Sequence, residues 1–201
     1  MSHNRLNVGR VLRASIRGFV VGCELTQSQI PGFGSFVRAD GLTPGSAIYG
    51  LVYEVSLEDD LFVRHFIGSE TEEEVIQDQR HNRQVPVEIS VLAVGCREDG
   101  TFRQCLPPHP PVTLDWLYLC TDQEIQAFTA RLDYFRLVLA AHDAPVDELL
   151  AASLRSAAAS RPESEREMFL IGAGRELARL MAASPLRLEG VIGKLQHKHG
   201  G

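Results

Sequence analysis

The sequence predicts an α+β protein. A small antiparallel β-barrel occupies residues 1–112, a helical domain of three to four helices occupies 113–196, and 197–201 form a frayed tail. Three observations carry the prediction. Two segments within the first hundred residues alternate apolar and polar side chains in the two-residue period of a β-strand. Four prolines in five positions, Pro107 to Pro111, then interrupt that pattern. Beyond them the apolar spacing changes to the threes and fours of an amphipathic helix.

The two alternating segments are the strongest strands. Val85, Val87, Ile89, Val91 and Ala93 fall on one face, with Pro86, Glu88 and Ser90 on the other. Tyr49, Leu51, Tyr53, Val55 and Leu57 likewise oppose Gly50, Glu54 and Ser56. Strands are expected at Leu6 to Leu12, Arg17 to Glu24, Gly34 to Arg38, Ser46 to Leu57, Gln84 to Val94 and Thr101 to Leu106. Between them lie Pro31-Gly32, Asp40-Gly41, Pro44-Gly45 and Asp99-Gly100, and Asp-Gly between strand-like runs is a strong hairpin signal. Six short strands in so little chain imply a barrel or sandwich, because closure hides the edges of a small sheet.

The run Leu106-Pro-Pro-His-Pro-Pro111 removes backbone donors and favours an extended polyproline conformation, so it reads as a stiff linker between two units. After it, Thr121 and Glu124 form a capping box, followed by a four-turn apolar seam of Ile125, Phe128, Leu132, Phe135 and Leu139. Pro145 and Pro162 each mark the start of a further helix. The second helix offers Val146, Leu149, Leu150, Ser153, Leu154 and Ala157 to a core, and the third Leu170, Ala173, Leu177, Leu180 and Met181. Ser184-Pro185 starts a weaker fourth, loosened by Gly190 and Gly193.

At 201 residues the chain can bury about 70% of its unfolded surface, enough for a core without staples. Its net charge of −6 supplies no global attraction to nucleic acid or an anionic membrane, so any such contact is local. No run approaches the length of a membrane span and the first residues lack the apolar core of a signal peptide, which leads us to expect a cytoplasmic protein. Cys23, Cys96, Cys105 and Cys120 show no metal-ligand spacing and read as small buried thiols.

Candidate chemistry is sparse. Gly190 to Leu195 fails as a phosphate loop, because Leu188 stands where the first glycine belongs and Leu195 where the magnesium-binding hydroxyl belongs. Gly172-Ala173-Gly174 lies inside a helical pattern and reads as a close-packing site. The histidines, among them His65, His109, His197 and His199, form no local catalytic signature. No catalytic residue, cofactor or metal site is assigned. Nine carboxylates between Glu54 and Asp78 read as a solvated acidic face able to steer a basic partner. Within it, Glu58, Asp59, Asp60 and Phe62 combine a charged rim with an aromatic anchor and are the candidate partner contacts. Arg5, Arg10, Arg13 and Arg17, with no acid among them, are the candidate phosphate contacts.

Several phrases of this sequence resemble the HAS-barrel family. They are VGRVLRAS (Val8 to Ser15), FVVG (Phe19 to Gly22), FGSFV (Phe33 to Val37), IYGLVYEVSLEDDLFVR (Ile48 to Arg64) and NRQVPVEISVLAVG (Asn82 to Gly95). The likeness continues through LPPHPPVTLDWLYLC and FTARLDYFRLVL, covering about residues 5–139. The family's barrel occurs at the front of HerA-type DNA-translocating ATPases and in F-type ATP synthase subunits. In HerA proteins it precedes a RecA-like motor and helps form the platform for the NurA nuclease. No motor is present here, so the resemblance implies a stand-alone, non-catalytic scaffold that joins a HerA-like hexameric ATPase, a NurA-like nuclease or both in DNA repair or end processing, as part of an oligomer. DNA association would then be indirect, and no family active site transfers. The rival readings are a direct nucleic-acid-binding barrel using the Arg5 to Arg17 edge, for example in ribosome assembly, and an enzyme whose site is assembled from distant residues.

Overall fold

The computed structural model describes residues 7–25, 30–57 and 85–196. Its strands are β1 (Asn7–Ala14), β2 (Gly18–Leu25), β3 (Phe36–Asp40), β4 (Ala47–Leu57), β5 (Val85–Glu98), β6 (Thr101–Arg103) and β7 (Trp116–Leu119). The helices are α1 (Asp122–Phe128), α2 (Phe135–Leu139), α3 (Val146–Ala159), α4 (Glu163–Leu180) and α5 (Pro185–Gln196). Six strands close in the order β2-β1-β7-β3-β4-β5 and back to β2, every pairing antiparallel. A closed barrel with helices is therefore the architecture, in agreement with the α+β expectation.

The ring differs from the expected one in its last strand. The segment predicted as Thr101 to Leu106 pairs for only three residues and hangs outside the barrel on β5, past the Asp99-Gly100 turn. Both turn residues have positive φ (48° and 76°), as the Asp-Gly pair foretold. Closure comes instead from β7, which lies beyond the prolines and pairs with both β1 and β3. The prolines thus lead the chain back to the barrel, and Pro107 and Pro111 are themselves buried.

Two cores follow from one alternation. Inside the barrel sit Val11, Val21, Val37, Ile48, Val52 and Ile89, all 3% exposed or less. On the outer face of β3, β4 and β5, Phe36, Tyr49, Leu51 and Val94 pack against Phe128, Tyr134, Phe135 and Leu150 of the helical layer. Each fully buried side chain of this kind contributes about 1.5–3 kcal/mol. Tyr49 and Leu51 do share a face, as their spacing requires, but that face meets helices while Ile48 and Val52 fill the barrel. The shared face ends at Tyr53. There the register slips between Val52 and Glu54, the signature of a β-bulge, so that Val55 turns inward to join the barrel core.

The four-turn seam after the capping box is two helices. The capping box itself is present, with Thr121 Oγ1 accepting from Glu124 N at 3.2 Å and Glu124 Oε2 accepting from Thr121 N at 3.0 Å. α1 stops at Thr129, whose hydroxyl donates back to the Ile125 carbonyl at 2.6 Å. Gln104 then fixes the break, donating to the carbonyls of Phe128 (2.6 Å) and Arg131 (2.9 Å) and accepting from Tyr134 N (2.8 Å). Pro145 and Pro162 stand at the N-caps of α3 and α4, and Pro185 opens α5. Arg161 ties the layer together: Nη2 donates to Thr129 Oγ1 at 2.7 Å, and its guanidinium lies 3.7 Å from the centre of the Phe169 ring. The close-packing expectation for Gly172 and Gly174 is corrected, since a Cβ at either would meet open space, and the buried Ala173 between them makes the contact.

Gly34 shows how the loop before β3 reaches the helices. It holds φ +81°, donates to the Val52 carbonyl at 2.8 Å, and leaves no room for a Cβ, which would lie 2.4 Å from the Ala152 Cβ of α3. Gly34→Ala combines left-handed strain with that clash. We expect it to lower the unfolding free energy by about 1–3 kcal/mol. An unchanged urea midpoint would show that the loop does not lean on α3.

Candidate functional site

The helices cover the outer face of β3, β4 and β5. On the outer face of β1 and β7, Arg10, Leu12 and Trp116 are exposed. The pairing register lays Trp116, Arg10, Gly22 and Glu88 in one row across β7, β1, β2 and β5. The Arg10 guanidinium lies 3.6 Å from the Trp116 ring centre, and its Nη1 donates to the Leu114 carbonyl at 2.7 Å. Stacking of this type contributes about 0.5–1 kcal/mol at an exposed site. Leu12 reaches over Gly22, where a Cβ would come within 2.9 Å of Leu12 Cδ1. A shallow trough of about 790 Å³ runs between Trp116 and Arg10 on one side and Pro86 and Glu88 on the other.

Leu114 is the unusual residue of this face. It holds φ +72°, a conformation that β-carbon-bearing residues adopt at a cost, yet its side chain is 62% exposed. The turn is stitched to β1 by Leu114 N to the Val11 carbonyl (2.8 Å) and Val11 N to the Asp115 carbonyl (2.9 Å). Strain held by surrounding contacts is characteristic of functional positions. Trp116, two residues further on, is itself 37% exposed.

A second concavity of about 590 Å³ lies at the barrel mouth, between the β1–β2 turn and the end of α2. Arg13 and Arg17 line it, opposite His142 and Asp143. Arg13 also reaches Glu88 at 3.5 Å. The structure therefore separates the arginines of the sequence reading: Arg10 belongs to the tryptophan face, and Arg13 and Arg17 to the mouth. Arg5, Glu58, Asp59, Asp60 and Phe62 lie outside the described residues, as do His65, His197 and His199.

Burial pushes the Cys23 and Cys96 thiols up to about 11 and raises that of Cys120 further, which favours the protonated thiol. Of the four thiols expected to be buried, only Cys96 is; Cys23 and Cys120 are half-buried and Cys105 is exposed. Among the described residues no group of His, Cys, Asp and Glu gathers at metal-binding spacing, and no helix is long and apolar enough to cross a membrane.

Sequence reasoning passed over Trp116 and Leu114. The available signals were the chain's one tryptophan and the WLYL run just after the prolines, which is long enough for a strand. No protein-family model matches the chain, and no curated protein matches it.

Proposed function

We propose that this chain is a non-catalytic docking subunit that holds a partner protein against the open face of its barrel. The observation that carries this reading is the stacked Trp116-Arg10 pair that borders a trough, with the strained, exposed Leu114 two residues before the tryptophan. Tryptophan and arginine are the side chains most enriched at energetic centres of interfaces, and an apolar centre with polar margins is the usual anatomy. The resemblance to HAS-barrel proteins supplies the partner class, a HerA-like DNA-translocating ATPase, a NurA-like nuclease or both. Direct nucleic-acid binding through the arginine edge is less well supported, because the net charge is −6 and Arg10 lies on a different surface from Arg13 and Arg17.

Copurification from the protein's own cells tests this. Tagged wild-type protein is expected to retain a HerA-like ATPase or NurA-like nuclease, and Trp116→Ala to weaken the complex by about thirtyfold, the effect of losing roughly 2 kcal/mol. Retention of neither protein by the wild type would end the proposal. Salt-sensitive binding to DNA or RNA without a protein partner would favour the nucleic-acid module.

A further inference from the structure

We propose that the cleft at the barrel mouth binds a small organic anion, with an apolar body against α2 and a carboxylate, sulfonate or phosphate head at Arg17. The volume, about 590 Å³, is that of a small-molecule site. Its floor is apolar and fixed, made by Phe19 and Val91, both 3% exposed or less. Its far wall is Leu137, Ala140 and Ala141, and the two alanines leave space that longer side chains would fill.

The cationic rim is placed by backbone bonds. Arg17 N donates to Ser15 Oγ at 3.2 Å and the Arg17 carbonyl accepts from Ala93 N at 2.9 Å, so the turn that carries this side chain is tied to β5. Gly18 lets the turn lie flat on that strand, since a Cβ there would stand 2.4 Å from the Val91 carbonyl oxygen. The Arg17 guanidinium has no hydrogen-bond or ion-pair partner among the described residues, and Arg13, 68% exposed, is held only by its 3.5 Å contact with Glu88. Asp143 is the one carboxylate among the described residues that line it. A chain of net charge −6 repels extended polyanions at long range. A local pair of arginines above an apolar floor therefore selects a compact ligand of low charge. The two parts act together, because the head pairs with Arg17 while the body covers the apolar floor.

The test uses the full-length protein and anilinonaphthalene sulfonate as a fluorescent probe. Hexanoate and hexyl phosphate, two sources of the same head-and-tail chemistry, are expected to displace it, with inorganic phosphate and hexanol each at least tenfold weaker. Arg17→Glu is expected to weaken the probe at least tenfold without changing the melting temperature, because that side chain bonds nothing in the fold. Ala141→Trp, which fills the cleft, is expected to abolish displaceable binding. If hexanol competes as well as hexanoate, or if both variants bind the probe like wild type, the site as proposed does not exist.

Discussion

Replacing Arg38 by alanine is expected to lower the unfolding free energy by about 3–5 kcal/mol, the cost of breaking a buried ion pair from one side. Arg38 projects from the outer face of β3 and is 1% exposed. Its cross-strand neighbours are Tyr49 and Tyr118. Nη1 donates to Asp40 Oδ1 at 3.1 Å, while Nε lies 3.1 Å from Glu124 Oε1, close enough for an ion pair but poorly aligned for a hydrogen bond. The two carboxylates differ in what they lose. Asp40 is 55% exposed and recovers water, whereas Glu124 is 14% exposed and keeps a buried negative charge. Glu124 also accepts from Thr121 N to cap α1, so the damage spreads from the barrel to the first helix.

Arg38 is also incompletely satisfied, since Nη2 and the nearby Tyr49 hydroxyl are both buried without a partner. Burial pushes the Tyr49 phenol up to about 12, so it stays neutral and offers no counter-charge. Pairwise removal should therefore be milder than single removal. Arg38→Met together with Glu124→Gln is expected to recover much of the stability that Arg38→Ala loses, because neither a naked charge nor a large cavity remains. Urea denaturation of the three proteins measures this, and an Arg38→Ala variant within about 1 kcal/mol of wild type would refute the ion-pair account.

Phe128→Ala is the second large effect, expected to cost about 3–5 kcal/mol and to lower the melting temperature by roughly 6–20 °C in a chain of this size. Phe128 ends α1 and is 1% exposed. It stacks on Tyr49 of β4 at 5.4 Å between ring centres and meets Phe36, Phe102 and Tyr134 edgewise or tilted at 5.8–6.0 Å. Its ring also lies against Gly95, where a Cβ would come within 2.8 Å. The side chain therefore belongs to the outer wall of the barrel as much as to the helical layer. Circular dichroism should show one thermal transition for wild type, and truncation should shift the barrel and helical signals together. A variant in which the strand signal keeps its wild-type midpoint while the helical signal falls would mean that the two parts melt independently.

Local features survived the passage from sequence to structure. The Asp99-Gly100 hairpin, the Thr121 and Glu124 capping box and the alternation from Val87 to Ala93 are all present. Each is decided by neighbours within four residues, through φ preference, a side-chain bond to a nearby amide, or the pleat of the strand. The candidate site was less legible. Arg10, Arg13 and Arg17 lie close together in the chain, yet the bulge between Val11 and Arg13 and the turn after Ala14 send them to two different surfaces. Trp116 and Leu114 gained meaning only when β7 paired beside β1 and brought the indole under Arg10.

By itself, then, the sequence determined six of the seven described strands, the Asp99-Gly100 turn and the starts of α1, α3, α4 and α5. Tertiary structure decided which strand closed the ring, which face of β4 became barrel interior, and where the helical seam broke. The reason is that alternation separates two faces without saying what covers either. Tyr49 and Val52 look equally apolar along the chain, and only the arrival of Phe128 from α1 and of β2 against β5 gives one a helical cover and the other a barrel core.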